Sequence, residues 1–415
     1  MYIDGTWCAS ETNTTFDVFN PASGEKINAV ADGTANDARR AIDAAGDAFP
    51  MWSKSTAYAR AAFLINAHKI MLSRKEELAK TMTTEQGKPI KAARNEVQYA
   101  ADFLLWYAEE AKRINGEVLP SARADQRFII LHQPVGVVAA VTPWNYPISM
   151  ITRKVAPALA AGCCIVLKPA EATPLCAIEM FKIFEEAGIP KGVVNLVTTS
   201  DPKPIGEEFT TNPAVAKITF TGSTAVGKML AGKAGANMKR ISLELGGHAP
   251  FIVCTDADPV HAAKGASLVK FLNTGQACIS PNRFLVHASI YDAFVDTLSE
   301  RVAKMQAGSG FDDGVNIGPL INQAAIGKVD AQVTDATAKG AKLVTGGAQL
   351  TAANLANGHF YAPTVLGDVT PDMLIYREET FGPVAPIIKY HDDDDVLAMA
   401  NDTNYGLAAY VYTQN

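Results

Sequence analysis

The chain has 415 residues, 48% of them hydrophobic and 19% charged, with a net charge of −6. That length exceeds one ordinary core, so two or three domains are expected, and the composition excludes extended disorder. The longest apolar run, Val155–Leu167, contains Pro157 and Gly162 and falls short of the roughly 18 residues of a spanning helix, while no run of Lys and Arg marks a nucleic-acid face.

Met1–Trp7 have neither a basic region nor an apolar core, so no signal peptide is read there, and a protein of the cytoplasm, or of an organelle if a transit peptide precedes it, is expected. Residues 36–49 and 56–82 alternate apolar and charged positions at helical spacing, and a further helix is expected over 91–112. Around 118–134 the pattern changes to short polar strands, clearest at Arg127–Gln133. Strand Val135–Val141, helix 148–161, strand Cys163–Leu167, helix Pro174–Ala187 and strands Val193–Val197 and Lys217–Phe220 follow. A helix opens after Gly222-Ser223, and strand Arg240–Leu243 closes the set. Buried strands alternating with amphipathic helices predict a parallel sheet covered on both faces.

A second α/β series begins near residue 247, with strand Phe251–Cys254, helix 258–272, strand Phe284–His287 and helix 290–306. The acidic run Asp392–Asp395 reads as a solvated helix N-terminus, where the helix dipole favours anions, rather than a metal site. Cys8, Cys163, Cys164, Cys176, Cys254 and Cys278 have no metal-binding spacing, and a disulfide framework is not expected at this length.

Four segments break local rules in ways that suggest chemistry. The first, Phe220–Gly227, sits between a strand and a helix, where glycine admits close approach and the helix N-terminus favours an anion. Its glycine spacing is not the usual dinucleotide fingerprint, and an ordinary turn explains it as well. In Lys168-Pro169-Ala170-Glu171, at the carboxyl end of a predicted parallel strand, a lysine and a carboxylate can bind ribose hydroxyls or simply pair with each other. Glu244-Leu245-Gly246-Gly247 places a carboxylate before two glycines at a strand end, where it can serve as a general base; a plain strand terminus is the competing reading. Finally, Asn273-Thr274-Gly275-Gln276-Ala277-Cys278 puts a cysteine after a polar turn, whereas Cys163, Cys164 and Cys254 lie inside apolar strands. Cys278 is therefore the best candidate for a reactive thiol.

Together these segments resemble the aldehyde dehydrogenase superfamily along essentially the whole chain. The supporting motifs are Thr142-Pro143-Trp144-Asn145-Tyr146-Pro147, Lys168–Glu171, Phe220–Ser223, Glu244–Gly247, Gly275–Cys278, Ile317-Gly318-Pro319-Leu320 and Glu379-Thr380-Phe381-Gly382-Pro383, in family order and spacing. The resemblance implies a Rossmann-type NAD(P)-binding domain over 1–115 and 135–246 and an α/β catalytic domain over 247–415. It also implies a β oligomerisation arm that includes 116–134. Such proteins extend several dozen residues past the position of Asn415, so an incomplete catalytic domain is expected.

The same resemblance implies roles by position. Cys278 matches the nucleophile, Glu244 the general base, and Asn145 the side chain that holds the oxyanion with the Cys278 N–H. Lys154 matches a basic residue close to the catalytic pocket. Thr142, Pro143, Trp144 and Leu245 belong to the cofactor-contacting motifs. Lys168 and Glu171 match contacts to the adenosine ribose, and Gly222 and Ser223 the turn under the pyrophosphate. Glu379 matches the contact to the nicotinamide ribose, with Phe381 packed nearby. The implied cofactor is NAD, favoured by Glu171, with NADP as the alternative; no metal is implied.

Met150-Ile151-Thr152-Arg153-Lys154-Val155 resembles succinate-semialdehyde dehydrogenases, in which the arginine matching Arg153 pairs with the substrate carboxylate. A helix-surface arginine is the competing reading. Some of those enzymes carry a second arginine where this chain has Leu272. Glu244–Pro250 and Cys278–Pro281 also resemble 2-oxoglutarate-semialdehyde dehydrogenases, and glutarate semialdehyde is a further option. The expected partner is thus a small aldehyde bearing a carboxylate, with neither nucleic acid nor membrane, in a homodimer or homotetramer. Three rivals remain at this point. A CoA-acylating enzyme characteristically lacks the glutamate that Glu244 matches. A thiol hydrolase leaves the Phe220–Gly227 turn unexplained. A non-catalytic binding or structural protein, inactive through truncation, leaves Cys278, Glu244 and Asn145 unexplained.

Overall fold

A computed structural model describes residues 1–352, 354–392 and 394–415. The described chain groups into two compact units: Met1–Val18 with Lys26–Glu85 and Ala93–Glu244, and Phe19–Glu25 with Gln86–Ala92 and Leu245–Asn415.

The sheet of the first unit runs Arg240–Glu244, Val215–Thr221, Val137–Val141, Cys164–Lys168, Val194–Leu196, Tyr2–Ile3 and Thr6–Trp7. The first five strands are parallel, and Tyr2–Ile3 adds antiparallel to Val194–Leu196. Every residue of Cys164–Lys168 is buried. Successive side chains point to opposite faces, so an unbroken buried run means both faces are covered there. Arg240–Glu244 differs from the buried strand that the sequence suggests: it lies at the sheet edge and is partly exposed. Its alternating Arg, Ser and Glu suit one wet face.

The helical pattern over 56–82 resolves into two helices, Ala57–Ser73 and Lys75–Gln86. Arg74 is the break, with φ −99° and ψ 16°. Its guanidinium binds Glu77 and Glu179, each at 2.6 Å, which anchors the joint. A one-residue break barely shifts an apolar stripe, so periodicity alone runs through it. Helix Pro202–Thr211 was not anticipated, although Asp201 caps it and Pro202 opens it as helix starts favour. Glu117–Pro120 and Arg127–Ile130 pair as an antiparallel hairpin whose residues are all exposed.

The sheet of the second unit runs Lys342–Thr345, Thr364–Gly367, Val384–Tyr390, Pro281–His287, Ala249–Val253 and Tyr410–Tyr412. Only the first pairing is antiparallel among the described strands. Alternation along the strands divides the core in two. Phe251, Val253, Phe284 and Val286 join one apolar cluster with helices Pro259–Lys270 and Tyr291–Ala303. Ile252 and Leu285, one residue out of phase, join the other with helix Gln323–Ala338.

Phe19–Glu25 and Gln86–Ala92 group with the second unit rather than with the chain around them. The Ile90 N–H donates to the Gly310 carbonyl at 2.8 Å and the His359 N–H to the Pro21 carbonyl at 3.0 Å. Such long-range pairings are invisible to local pattern. In the acidic run, Asp395 caps helix Val396–Asn401 and Asp394 accepts from the His391 N–H at 2.7 Å. Asp392 Oδ1 lies 2.8 Å from His287 Nε2, and Asp393 lies outside the described residues.

Candidate active site

In the first unit, Thr142-Pro143-Trp144-Asn145 leave the carboxyl end of strand Val137–Val141, where ligands of open α/β sheets bind. The Thr142 N–H donates to the Lys168 carbonyl at 3.2 Å, which ties this turn to the neighbouring strand end. Asn145 is buried. The helix Ser149–Ala160 that follows starts on a buried carboxylate: Glu96 Oε1 accepts from the N–H groups of Ile148 and Ser149 at 3.1 and 3.2 Å. Glu96 thus satisfies orphan donors of that helix start, a long-range role with no local sequence signal.

Consecutive residues on this helix diverge by about 100°, the angle per residue of an α-helix. Lys154 is buried and its Nζ donates to Thr219 Oγ1 at 3.0 Å. Burial pushes its pKa down to about 7, opposed by Glu244 and reinforced by Arg153 and Lys217. Arg153 is exposed instead, with its guanidinium carbon 5.6 Å from the Phe103 ring centroid. It does not share the buried environment of Lys154.

Lys168 ends its strand with a buried ammonium that donates to the Pro169 carbonyl at 2.8 Å and pairs with Glu171. Burial lowers its pKa, and Glu171 opposes that shift. The Glu171 side chain is 39% exposed, so it offers oxygens to solvent or ligand. On the adjacent side of the sheet, the Gly222 N–H donates to the Glu244 carbonyl at 3.1 Å and Ser223 caps helix Thr224–Ala236. A Cβ at Gly222 would stand 2.5 Å from the Phe220 ring, so a side chain there would force that ring to shift. The buried hydroxyls of Thr221 and Thr224 flank it without a partner among the described residues. Unspent donors at a helix N-terminus fit a phosphate. Thr221 also stands in register with Glu244 across the parallel strands.

In the second unit, Cys278 is only half-buried, unlike Cys163, Cys164 and Cys176. None of the described cysteines forms a disulfide. The turn before Cys278 is strained: Asn273, Thr274 and Gly275 have φ of 49°, 60° and 75°. Left-handed non-glycine residues cost of order 1–3 kcal/mol each and persist where their surroundings over-determine them. Here Thr274 Oγ1 donates to the Gly318 carbonyl and Gln276 Nε2 to the Pro319 carbonyl, both at 3.2 Å, while the Ile321 N–H donates to Gln276 Oε1 at 3.1 Å. The Ile317–Leu320 motif is thus the anchor of the cysteine turn. The Tyr410 hydroxyl adds a bond to the Ile279 carbonyl at 2.9 Å.

Gly247 lies under this turn. A Cβ there would come within 2.0 Å of the Cys278 carbonyl oxygen. The Gly247 N–H donates to Glu379 Oε1 at 2.9 Å. Burial raises the Glu379 pKa, opposed by the Gly247 N–H, Lys328 and Lys270. Leu245 is half-buried just before these glycines, and Phe381 adopts a left-handed φ of 54°. The second unit therefore gathers Cys278, Gly247 and Glu379. Lys270, Asn282 and Tyr410, all joined to the same segments, were missed from sequence; a lysine on the apolar stripe Ala263, Ala266, Lys270 was the available signal.

The aldehyde dehydrogenase family profile matches residues 7–415. The chain belongs to the aldehyde dehydrogenase family. Among members of that family, it is 48% identical over 414 residues to a glutarate-semialdehyde dehydrogenase of Pseudomonas aeruginosa, covering 100% of this chain and 85% of that one. It is 47% identical over 413 residues to the Escherichia coli succinate-semialdehyde dehydrogenase (NADP(+)) GabD, covering 100% and 85%. The crystal structure of a succinate-semialdehyde dehydrogenase from Burkholderia pseudomallei superposes with a TM-score of 0.97 at 48% identity, covering 100% and 85%. As in the sequence reading, no helix among the described residues of this aldehyde dehydrogenase chain is long and apolar enough to cross a membrane.

Proposed function

We propose that this chain oxidises a short aldehyde bearing a distal carboxylate, succinate semialdehyde to succinate in the first instance, with NAD(P). The observation that carries the reading is the strained, fully anchored turn that holds Cys278 half-exposed above Gly247. Strain kept at that position has a purpose if Cys278 is the nucleophile.

Cys278 attacks the aldehyde carbon as a thiolate, since the thiol form of a cysteine, with an ordinary pKa of about 8.5, is the weaker nucleophile. Donors from Asn145 and the Cys278 N–H hold the resulting alkoxide; losing one such donor costs about 10²–10³ in rate. When bound, the nicotinamide accepts the hydride that leaves this carbon. Glu244 then takes a proton from water, which attacks the thioester and frees the acid and the Cys278 thiolate. Lys154 is buried, and Glu244 opposes the effect of burial on its ammonium.

Lys168 and Glu171 suit the adenosine ribose, and Gly222, Ser223 and the orphan hydroxyls of Thr221 and Thr224 suit the pyrophosphate. Thr142, Pro143, Trp144, Leu245, Glu379 and Phe381 complete the cofactor contacts. Glu171 repels a 2′-phosphate and favours NAD. The pairing of Lys168 with Glu171 offsets that charge, and a rotated Glu171 admits NADP. Arg153 binds the substrate carboxylate. Glutarate semialdehyde is the second reading, favoured by the 48% identity to the Pseudomonas aeruginosa enzyme; 2-oxoglutarate semialdehyde follows.

The exposed hairpin carries Val118, Leu119, Phe128, Ile129 and Ile130. A two-stranded hairpin with free outer edges and exposed apolar side chains is a pairing surface. We assign it to a homodimer or homotetramer in the cytoplasm. The test of the function is nucleotide reduction with succinate semialdehyde beside an uncharged aldehyde of the same length, in NAD and then NADP. A strong preference for the acid is expected; equal rates would overturn the carboxylate reading.

A further inference from the structure

Behind the cysteine turn lies a charge that the proposed chemistry does not use. Lys270, the last residue of helix Pro259–Lys270, is 0% exposed. An ammonium taken from water costs several kcal/mol unless it is paired and hydrogen-bonded. Its Nζ reaches Asn282 Oδ1 at 3.5 Å, and Glu379 is the carboxylate that opposes the effect of burial on it.

Asn282 is a strut. Its Oδ1 also accepts from the Thr380 N–H at 3.2 Å, next to Glu379 in the chain. Its Nδ2 donates to the Ser280 carbonyl at 3.1 Å, and Ser280 Oγ returns to the Lys270 carbonyl at 3.2 Å. Asn282, Ser280 and Thr380 are each 1% exposed. A closed circuit therefore links Lys270, the two residues after the Cys278 turn and the backbone that presents Glu379. Gly247 holds one Glu379 oxygen from the other side at 2.9 Å.

We propose that Lys270 is a positioning residue that orients Glu379 toward the nicotinamide ribose, through the Asn282 strut to Thr380. Glu379 is half-buried, and burial raises its pKa against the opposing Gly247 N–H, Lys328 and Lys270. A carboxyl that takes up a proton loses acceptor strength, so the groups that hold it matter to a ribose contact. A methionine of similar length fills the same space but supplies neither charge nor bond. The inference rests on Glu379 contacting the ribose, as proposed above.

A double-mutant cycle tests it, with Lys270→Met, Glu379→Gln and the double variant of the full chain. The two readouts are the Kd for NAD(P) by calorimetry and the rate of the first turnover with the semialdehyde. Each single variant is expected to lose about tenfold in one or both, and the double to lose no more than the worse single. Losses that multiply in the double would overturn the positioning role and leave Glu379 as a ribose contact. A Glu379→Gln variant with unchanged Kd and rate would overturn both. If Lys270→Met does not fold, Asn282→Leu replaces it in the same cycle, with the same two outcomes.

Discussion

The Lys154 ammonium donates to the Thr219 hydroxyl at 3.0 Å, two residues before Thr221, whose register partner is Glu244. Burial pushes the pKa of this lysine down to about 7, and Glu244 opposes that shift. Replacing it with methionine should remove an ionisation near pH 7 from the pH dependence of kcat/KM. An unchanged profile would separate Lys154 from the base.

The same lysine makes a stability prediction. Burial pushes its folded pKa down to about 7, below the ordinary lysine value of 10.5. Below pH 7 both states carry the proton and the cost of burial is fully present. Between the two values the unfolded chain holds the extra proton, so stability rises with pH, by up to about 1.4 kcal/mol per pH unit. Melting curves from about pH 7 to pH 9 should climb more steeply for the native chain than for Lys154→Met. Equal slopes would contradict the burial effect.

Gly247→Ala should be severe. Its Cβ would lie 2.0 Å from the Cys278 carbonyl oxygen and 3.4 Å from Leu407 Cδ2. The carbonyl is backbone and cannot swing aside as a side chain would. Turnover should fall at least about a hundredfold, because a displacement of about 1 Å at a reacting group has that effect. Nucleotide affinity and first-turnover rate measured together would show it; native rates would mean the turn yields easily.

Cys278→Ala should abolish turnover while nucleotide binding persists. Normal turnover in that variant defeats the thioester mechanism. Glu244→Gln should give a first burst of reduced nucleotide and then a slow steady rate, since only thioester hydrolysis loses its base. A burst followed by the native steady rate would remove Glu244 from that step.

Arg153→Ala should raise the KM for the semialdehyde far more than for a neutral aldehyde of equal length. Its exposed guanidinium lies over the Phe103 ring, at 5.6 Å, rather than in a carboxylate pair. Equal effects on both substrates would return Arg153 to the role of a surface residue.

Much of this was legible because the signals are local. Continuous apolar runs announced Val137–Val141 and Cys164–Lys168, and a serine after glycine announced the start of helix Thr224–Ala236. Cys278 stood out because polar residues and glycine replace the apolar neighbours of Cys163 and Cys164. Helix Pro202–Thr211 had its Asp-Pro start signal and was overlooked. The break at Arg74 has no periodic signature, and the ion pair that anchors it reaches Glu179, more than a hundred residues away.

Sequence by itself determined the alternation of strands and helices, the family motifs and the residue types that can do thiol chemistry, since each depends on neighbours along the chain. Tertiary structure alone decided what surrounds those residues. It buried Lys154 while leaving Arg153 exposed, and it buried Lys270 against Asn282. It held the left-handed turn before Cys278 against Gly318, Pro319 and Ile321. Burial and counter-charge are sums over distant contacts, and no local pattern contains them.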